Sequence, residues 1–496
     1  MNVRWSKLII VCCLCASTCA AESVELTVLT VDQANGQAMP ARVHLADANK
    51  KPIRPPGLPF WRDHFSSAGQ AEILVEPGRY SVTIERGPEW SAASSPVDIP
   101  AGVTRTNLTF ALRRLVNLAS EGWWSGETHV HRSVADAELL LRSEDLHIAQ
   151  VITWWNKVNP WSNQPLPAVL PARVDGNRFF HSLAGEDERD GGALLLFNLG
   201  APLDIVAGEK HFPSSLKYAR LARERGAWID IEKPFWWDTP MWIANGVGDS
   251  VGLANNHMYR DGVYENEAWG KPRDRARHPG VLGNGNWTQE IYYHLLNCGI
   301  RIPPSAGSAS GVLPNPVGYN RAYVHLDGEL TWEKWWAGLR AGRVFVSNGP
   351  LLRCQANGEW PGTILRSTAP LTIKLDGLVD SREPVRVVEL VRPGVVEKIT
   401  LPTTFTLKES GWFLVRALGT ATNTFRFAST APWYVEIGGQ PMKPRRESAQ
   451  FFVDWCRERI ANLEKLTNLT PTQRAEVLEP WRSAAEFWSK KLVEVR

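Results

Sequence analysis

The stretch Ala149-Gln150-Val151-Ile152-Thr153-Trp154-Trp155-Asn156 runs an apolar segment into two indoles and an amide. The same design returns twice. Ala193-Leu-Leu-Leu-Phe197 leads into Asn198-Leu199-Gly200, and Ala227-Trp-Ile-Asp-Ile231 leads into Glu232-Lys233-Pro234. Short, near-continuous apolar runs of this kind read as strands buried on both faces. A helical pattern from Ser214 to Arg225 stops at Gly226, and another from Gln289 to Leu296 stops at Gly299. Strands alternating with helices predict a parallel sheet or barrel, with functional groups just past the strands' carboxyl ends. Residues 117–350 are therefore a central α/β region.

On either side the texture changes. Residues 22–116 alternate as short strands, with Val24 to Val31, Ala41 to Leu45 and Arg79 to Ile84 separated by Asn35-Gly36 and Pro77-Gly78. A small β-sandwich follows from this spacing. Its Glu-Pro-Gly-Arg-Tyr-Ser-Val segment resembles prealbumin-like or carboxypeptidase-regulatory-like modules. Residues 351–440 return to strands, at Leu371 to Leu375, Val385 to Leu390 and Trp412 to Arg416, which predicts a second sandwich. The tail, 441–496, is helical. Phe452, Cys456, Ile460 and Leu463 share one face, Val477, Trp481 and Trp488 another, and Thr470-Pro471-Thr472-Gln473 fits a capping box. A helical hairpin is expected there.

The chain of 496 residues begins like a secretory leader: Arg4 and Lys7, an apolar Leu8 to Ala16, then small residues at Cys19-Ala20-Ala21. Residues 1–21 are read as a signal peptide and the protein as exported, periplasmic or extracellular. No later apolar stretch is long enough to span a membrane. A formal net charge of +3 without a basic stripe argues against a nucleic-acid partner. Cys298, Cys354 and Cys456, the cysteines outside the leader, lack metal-thiolate spacing and read as small buried residues.

Chemistry concentrates in the central region. In Gly126-Glu127-Thr128-His129-Val130-His131-Arg132, histidines one residue apart on a strand project to one face. Two converging imidazoles suit zinc, iron or manganese. Acidic Gly185-Glu186-Asp187-Glu188-Arg189 follows a later strand, and Asn255-Asn256-His257 another. Asp187, Glu188 and Arg189 read as a solvated cluster, or Arg189 as a residue orienting Glu186. Glu232 and Lys233 are adjacent, so on a strand they face opposite ways unless the backbone turns at Pro234.

At these positions the chain resembles the PHP (polymerase and histidinol phosphatase) superfamily, nearest its exported CehA/McbA-like metallohydrolases. The resemblance covers roughly 117–350, including Ser347-Asn348-Gly349-Pro350-Leu351. It implies a distorted (β/α)7 barrel with metal at the carboxyl ends of its strands. It also implies hydrolysis of an ester, amide, carbamate or phosphoester bond by a metal-activated water. By position, His129 and His131 match the family's HxH ligands and Glu186 its glutamate. Thr153-Trp154-Trp155-Asn156 stands where the family commonly has Thr-Asp-His-Asn, Glu232-Lys233-Pro234 replaces Ala-His-Pro, and Ser308-Ala309-Ser310-Gly311 replaces Ser-Asp-Ala-His. Each replacement removes a ligand.

What remains, two imidazoles and a carboxylate, is the three-ligand open set of a catalytic zinc. His257 is either a further ligand or substrate contact, or a buried hydrogen-bonded histidine. Glu232 and Asn156 are candidate catalytic groups. Lys233 either stabilises an oxyanion or forms a plain ion pair with a glutamate. The paired indoles Trp123-Trp124, Trp154-Trp155 and Trp236-Trp237 lie beside these segments. Trp124, Trp154, Trp155, Trp236 and Trp237 are expected to wall a pocket for an aromatic or carbohydrate-like small molecule. The expected protein is an exported metal-dependent hydrolase. Its alternative is a barrel that has lost turnover and binds a carbohydrate or another cell-surface ligand.

Overall fold

The computed structural model describes residues 23–205 and 208–495. The segment read as a leader, residues 1–21 with its cysteines, lies outside the described residues. The chain is multidomain and sheet-rich, with a few helices and a helical pair at its C-terminus.

In the N-terminal unit, Val24–Asp32 pairs with Gln70–Val75 and Arg105–Leu112 in one sheet. Ala41–Asp47 joins His64–Ser67 and Gly78–Glu85 in a second. Burial alternates residue by residue along Val24–Asp32, the period of a strand with one covered face. The inward residues, among them Leu26, Val43, Phe65, Ile73 and Ile84, make one core between the sheets.

In the central region every residue of Gly192–Phe197, Trp228–Ile231 and Ser250–Ala254 is buried, as continuous apolar strands require. Trp123–Val130, Ile148–Trp155 and Arg178–Arg189 run parallel and adjacent, as do Trp228–Ile231, Ser250–Ala254 and Pro304–Ala306. The expectation of a parallel sheet is met by these strands but not throughout, for Ala172–Asp175, Arg321–His325 and Val344–Ser347 pair antiparallel. Gly192–Phe197 is antiparallel to both its neighbours. Only Asp190 and Gly191 separate it from Arg178–Arg189, with Arg189 paired to Gly192, and so short a link permits a hairpin but no crossover. Asn198-Leu199-Gly200 accordingly sits at the opposite end of the sheet from the histidines.

The sheet curls back on itself. Thr128 Oγ1 donates to the Ala306 carbonyl at 2.9 Å, His131 N to Ser310 O at 2.8 Å and Ala309 N to His129 O at 2.8 Å. Gly307 makes this closure possible, since a Cβ there would lie 2.4 Å from that of His129. On its other side Trp123–Val130 pairs with Arg321–His325, which pairs with Val344–Ser347. The same sheet then continues through Phe427–Thr430, Gly411–Gly419 and Val385–Arg392. Leu351–Ala356, Leu371–Asp380 and Thr403–Leu407 form a second sheet, and residues from both sheets, Leu351, Ile373, Phe413 and Trp433 among them, share one core.

The helices Arg446–Glu464 and Pro471–Val493 close the molecule. Thr470 and Gln473 form the expected capping box, with Pro471 opening the helix. Phe452 stacks on Trp488 at 4.2 Å, while Trp455 and Trp488 donate to the Trp237 and Pro240 carbonyls, fastening the pair to the central region. Cys298, Cys354 and Cys456 are buried free thiols. Among the described residues no helix is long and apolar enough to cross a membrane.

Candidate metal centre

His129 lies at the carboxyl end of Trp123–Val130 and His131 just beyond it. Glu186 stands two strands away, paired in register with Trp155 on the intervening strand. Parallel pairing thus carries three donors from distant sequence to one end of the sheet. His129 Nε2 is 3.0 Å from His131 Nε2, and Glu186 Oε2 is 3.1 Å from His131 Nε2 and 3.7 Å from His129 Nε2. Two imidazole nitrogens and a carboxylate facing one point at these distances are the donor set of a divalent ion, and these residues fit one.

The surroundings demand positive charge. Burial disfavours His129 as a cation, yet Glu186 and Glu232 outweigh burial and hold its pKa at about 10. Burial opposes ionisation of Glu186 too, but His129 and His131 keep it well below the ordinary carboxylate range. Glu232 Oε1 accepts from His129 Nδ1 at 3.3 Å, which leaves Nε2 directed at the other donors. Glu232 is itself fixed by Lys233 Nζ at 2.5 Å, Asn256 Nδ2 at 2.6 Å and Trp236 Nε1 at 3.1 Å. A carboxylate behind a histidine ligand is the usual outer partner of such a ligand, setting its tautomer and raising its basicity.

Lys233 faces the same way as Glu232 because the strand ends at Ile231 and the backbone turns. Its ammonium pairs with Glu232 and lies 4.4 Å from the Trp236 ring centre, so the ion-pair reading describes it. Asn156 adopts φ 47° and accepts from the Glu188 main-chain N at 3.0 Å, placing it as a backbone brace beside Glu186. His257 is buried and is not in the three-donor group. Its ring packs against Phe235 and Tyr264, and burial with Lys233 nearby lowers its pKa to about 3.

The five indoles divide. Trp155 sets its edge against His131, ring centres 4.8 Å apart, and Trp236 bonds Glu232. Trp124 lies near the start of its strand, at the end away from the histidines, against His147. Trp154 is buried, donating to Leu183 O and filling the space that Gly185 leaves open. Trp237 packs on Trp455 of the tail. Of the five, Trp155 alone is both part-exposed and set against a metal donor, because Trp236 is 1% exposed and the others meet neighbours that only tertiary packing supplies.

Three carboxylates near the centre add to its character. Glu188 shares a face of its strand with Glu186, two residues along. Burial and the Glu186 and Glu232 charges push its pKa up to about 8. Asp187 and Arg189, on the opposite face, are buried and paired with each other at 2.6 Å rather than solvated or aimed at Glu186. Glu127 is fully buried and accepts main-chain N–H groups of Ser308 and Gly318, with burial raising its pKa to about 7. Asp230 accepts from the Ser250 and Ser305 hydroxyls, each at 2.5 Å. The alternation of strand residues would have flagged Glu188; Glu127 and Asp230 looked like ordinary strand polar positions.

A second group of histidine and carboxylate donors, His44, Asp63 and His64, lies in the N-terminal unit. Asp63 is 3.2 Å from His44 Nδ1 and 2.9 Å from His64 Nδ1. Two guanidinium groups already serve it: Arg42 Nε donates to His44 Nε2 at 3.1 Å and Arg260 to Asp63 at 2.6 Å. Burial and the Arg42 charge lower the His64 pKa to about 3.

Neither a protein-family model nor a curated protein matches the chain. Among solved structures, the Bacillus anthracis TIE protein aligns at 16% identity over 23% of this chain and 20% of its own, with a TM-score of 0.16. The apo structure of Bacteroides uniformis β-glucuronidase 3 aligns at 11% identity over 84% of this chain and 63% of its own, with a TM-score of 0.15.

Proposed function

We propose that the protein is an exported metal-dependent hydrolase of the PHP/CehA-like class, its curled central sheet a divergent (β/α)7 barrel. The convergence of His129 Nε2, His131 Nε2 and Glu186 Oε2, with nearest separations of 3.0 and 3.1 Å, carries the reading. A divalent ion, zinc before manganese or iron, held by these three supplies Lewis acidity and lowers the pKa of a water. The chain's own residues do the rest. Ionised Glu232 faces the Nδ1–H of His129 and so presents Nε2 as a ligand. Lys233, Asn256 and Trp236 hold Glu232 in place, and Lys233 leaves a fixed positive charge beside the centre. Trp155 stands against His131 and offers an apolar surface to an ester, amide, carbamate or phosphoester substrate. The ligand-binding alternative draws on five indoles, four of which are occupied in packing.

Metal analysis of protein purified without added ions tests this reading. About one equivalent is expected in the native chain, and less than a tenth in His129→Ala, since each ligand of a three-donor site is indispensable. Hydrolysis of a panel of ester, carbamate and phosphoester substrates should vanish with chelator and return with zinc. Metal content unchanged by His129→Ala would overturn it.

A further inference from the structure

Where the N-terminal unit, the central region and the C-terminal β region meet lies a partly open cavity of about 210 Å³. Arg42, Arg260, Arg321, Arg382 and Arg426 line it, and none of the metal-centre donors does. The acids on the wall do not balance these arginines. Arg42 is served by Glu144 at 2.5 Å and Glu85 at 2.6 Å. Glu85 is also the carboxylate partner of Arg382, at 3.1 Å, and lies 3.5 Å from Arg260, which Asp63 serves at 2.6 Å. Glu85 is thus divided among three guanidinium groups, of which Arg382 has no other acid partner among the described residues. Arg321 is 1% exposed and donates to the carbonyls of Gly318 and Glu144, with no carboxylate among its described partners. The remaining wall acids, Asp261 and Glu383, have side chains 72% and 48% exposed, where water screens them. A buried guanidinium without a counter-charge is costly, so the wall favours an added anion.

The backbone is shaped around these side chains. Gly87, at φ +59°, passes so close that a Cβ would meet the Glu144 carbonyl at 2.4 Å and Arg321 at 3.1 Å. Gly349 leaves the space that Arg426 fills, since a Cβ there would lie 2.6 Å from Arg426 Cδ. Asn348 O accepts from Arg426 at 3.0 Å, and the Asn348 amide bonds both Phe425 O and Phe427 N. The Asn348-Gly349 pair, legible in the sequence but unused by the metal centre, therefore builds this wall.

We propose that the cavity binds a small tetrahedral dianion, a phosphate or sulfate group, free or as the head of a small monoester. Guanidinium forks match such oxygens two at a time, and several forks around one cavity leave the anion as the missing partner. Burial, with Arg42 and Arg426 nearby, depresses the Arg382 pKa despite Glu85, which agrees with a shortage of negative charge at that side chain.

Calorimetric titration of the full chain with sodium phosphate, and separately with sodium sulfate, against sodium chloride of equal ionic strength tests the proposal. Saturable binding of one dianion per chain is expected, retained in His129→Ala. Affinity should fall about tenfold or more in Arg382→Gln and Arg426→Gln, the loss of one charge-assisted contact each, with their thermal midpoints checked for intact folding. Absence of saturable heat, equal affinity in both arginine variants, or loss of binding in His129→Ala would overturn it, the last by placing the anion at the metal centre. Phosphate binding without sulfate binding would confine the site to phosphate. Because metal content is measured separately, failure here leaves the hydrolase reading standing.

Discussion

Among the described residues, two places gather two imidazoles and one carboxylate within 4.8 Å, and they are not equivalent. At His129, His131 and Glu186 the next neighbour is another acid, Glu232, and the imidazole nearest it is driven toward its charged form. At His44, Asp63 and His64 the next neighbours are Arg42 and Arg260, which already supply positive charge and also meet the nearby acid, Glu85, 3.4 Å from His44. The donor sets match; the second ring of residues decides. A metal site is an unmet demand for a cation, and only the first cluster has one.

The comparison can be broken most directly by removing a donor from each side. His129→Ala or Glu186→Ala should weaken zinc binding by more than about a hundredfold, beyond the roughly 10–100-fold usual for an outer partner, whereas His64→Ala should leave stoichiometry unchanged; equilibrium dialysis reads both. Glu232→Gln should keep the ligands and lose affinity by about 10–100-fold. Retention of full affinity would mean that Glu232 does not support His129. The proton on His129 makes a third prediction. Its raised pKa means that below about pH 10 the metal-free imidazole is charged, so binding must expel a proton and tighten as pH rises. Zinc affinity should gain up to about tenfold per pH unit near neutrality, and titration heats in buffers of different ionisation enthalpy should report the released proton. The smallest effect is expected at the other cluster. Arg260→Gln frees one side of Asp63 and should allow weak extra zinc binding, detectable only as a second, low-affinity phase; a tight second equivalent in the unaltered chain would overturn the distinction.

How far these features were legible follows from how local they are. The histidine pair, the strand that carries it and the buried central strands are written in neighbouring residues, and so is the helical tail with its Thr470 cap. The reversal of Gly192–Phe197 was present in the two-residue link before it but was masked by an apolar run that suits either direction. The indoles were misjudged for a different reason. Trp124 precedes the donors on its strand, and Trp237 is covered by a helix more than two hundred residues later. His257 lies close enough to Lys233 to feel its charge, yet its ring is enclosed by Phe235 and Tyr264, which spacing along the chain does not reveal. The second cluster joins His44 to a hairpin carrying Asp63 and His64, and its arginines come from two different units.

The sheet that runs from Pro304–Ala306 through the histidine strand into Val385–Arg392 has a consequence for how the protein responds to proteolysis. A cut near residue 350 would not release two finished halves. It would strip Val344–Ser347 of Phe427–Thr430 and bare a row of main-chain donors and acceptors, inviting pairing with any other open strand. Proteolysis there should therefore end in aggregates rather than fragments, and the central and C-terminal β regions, joined by one sheet, should melt together.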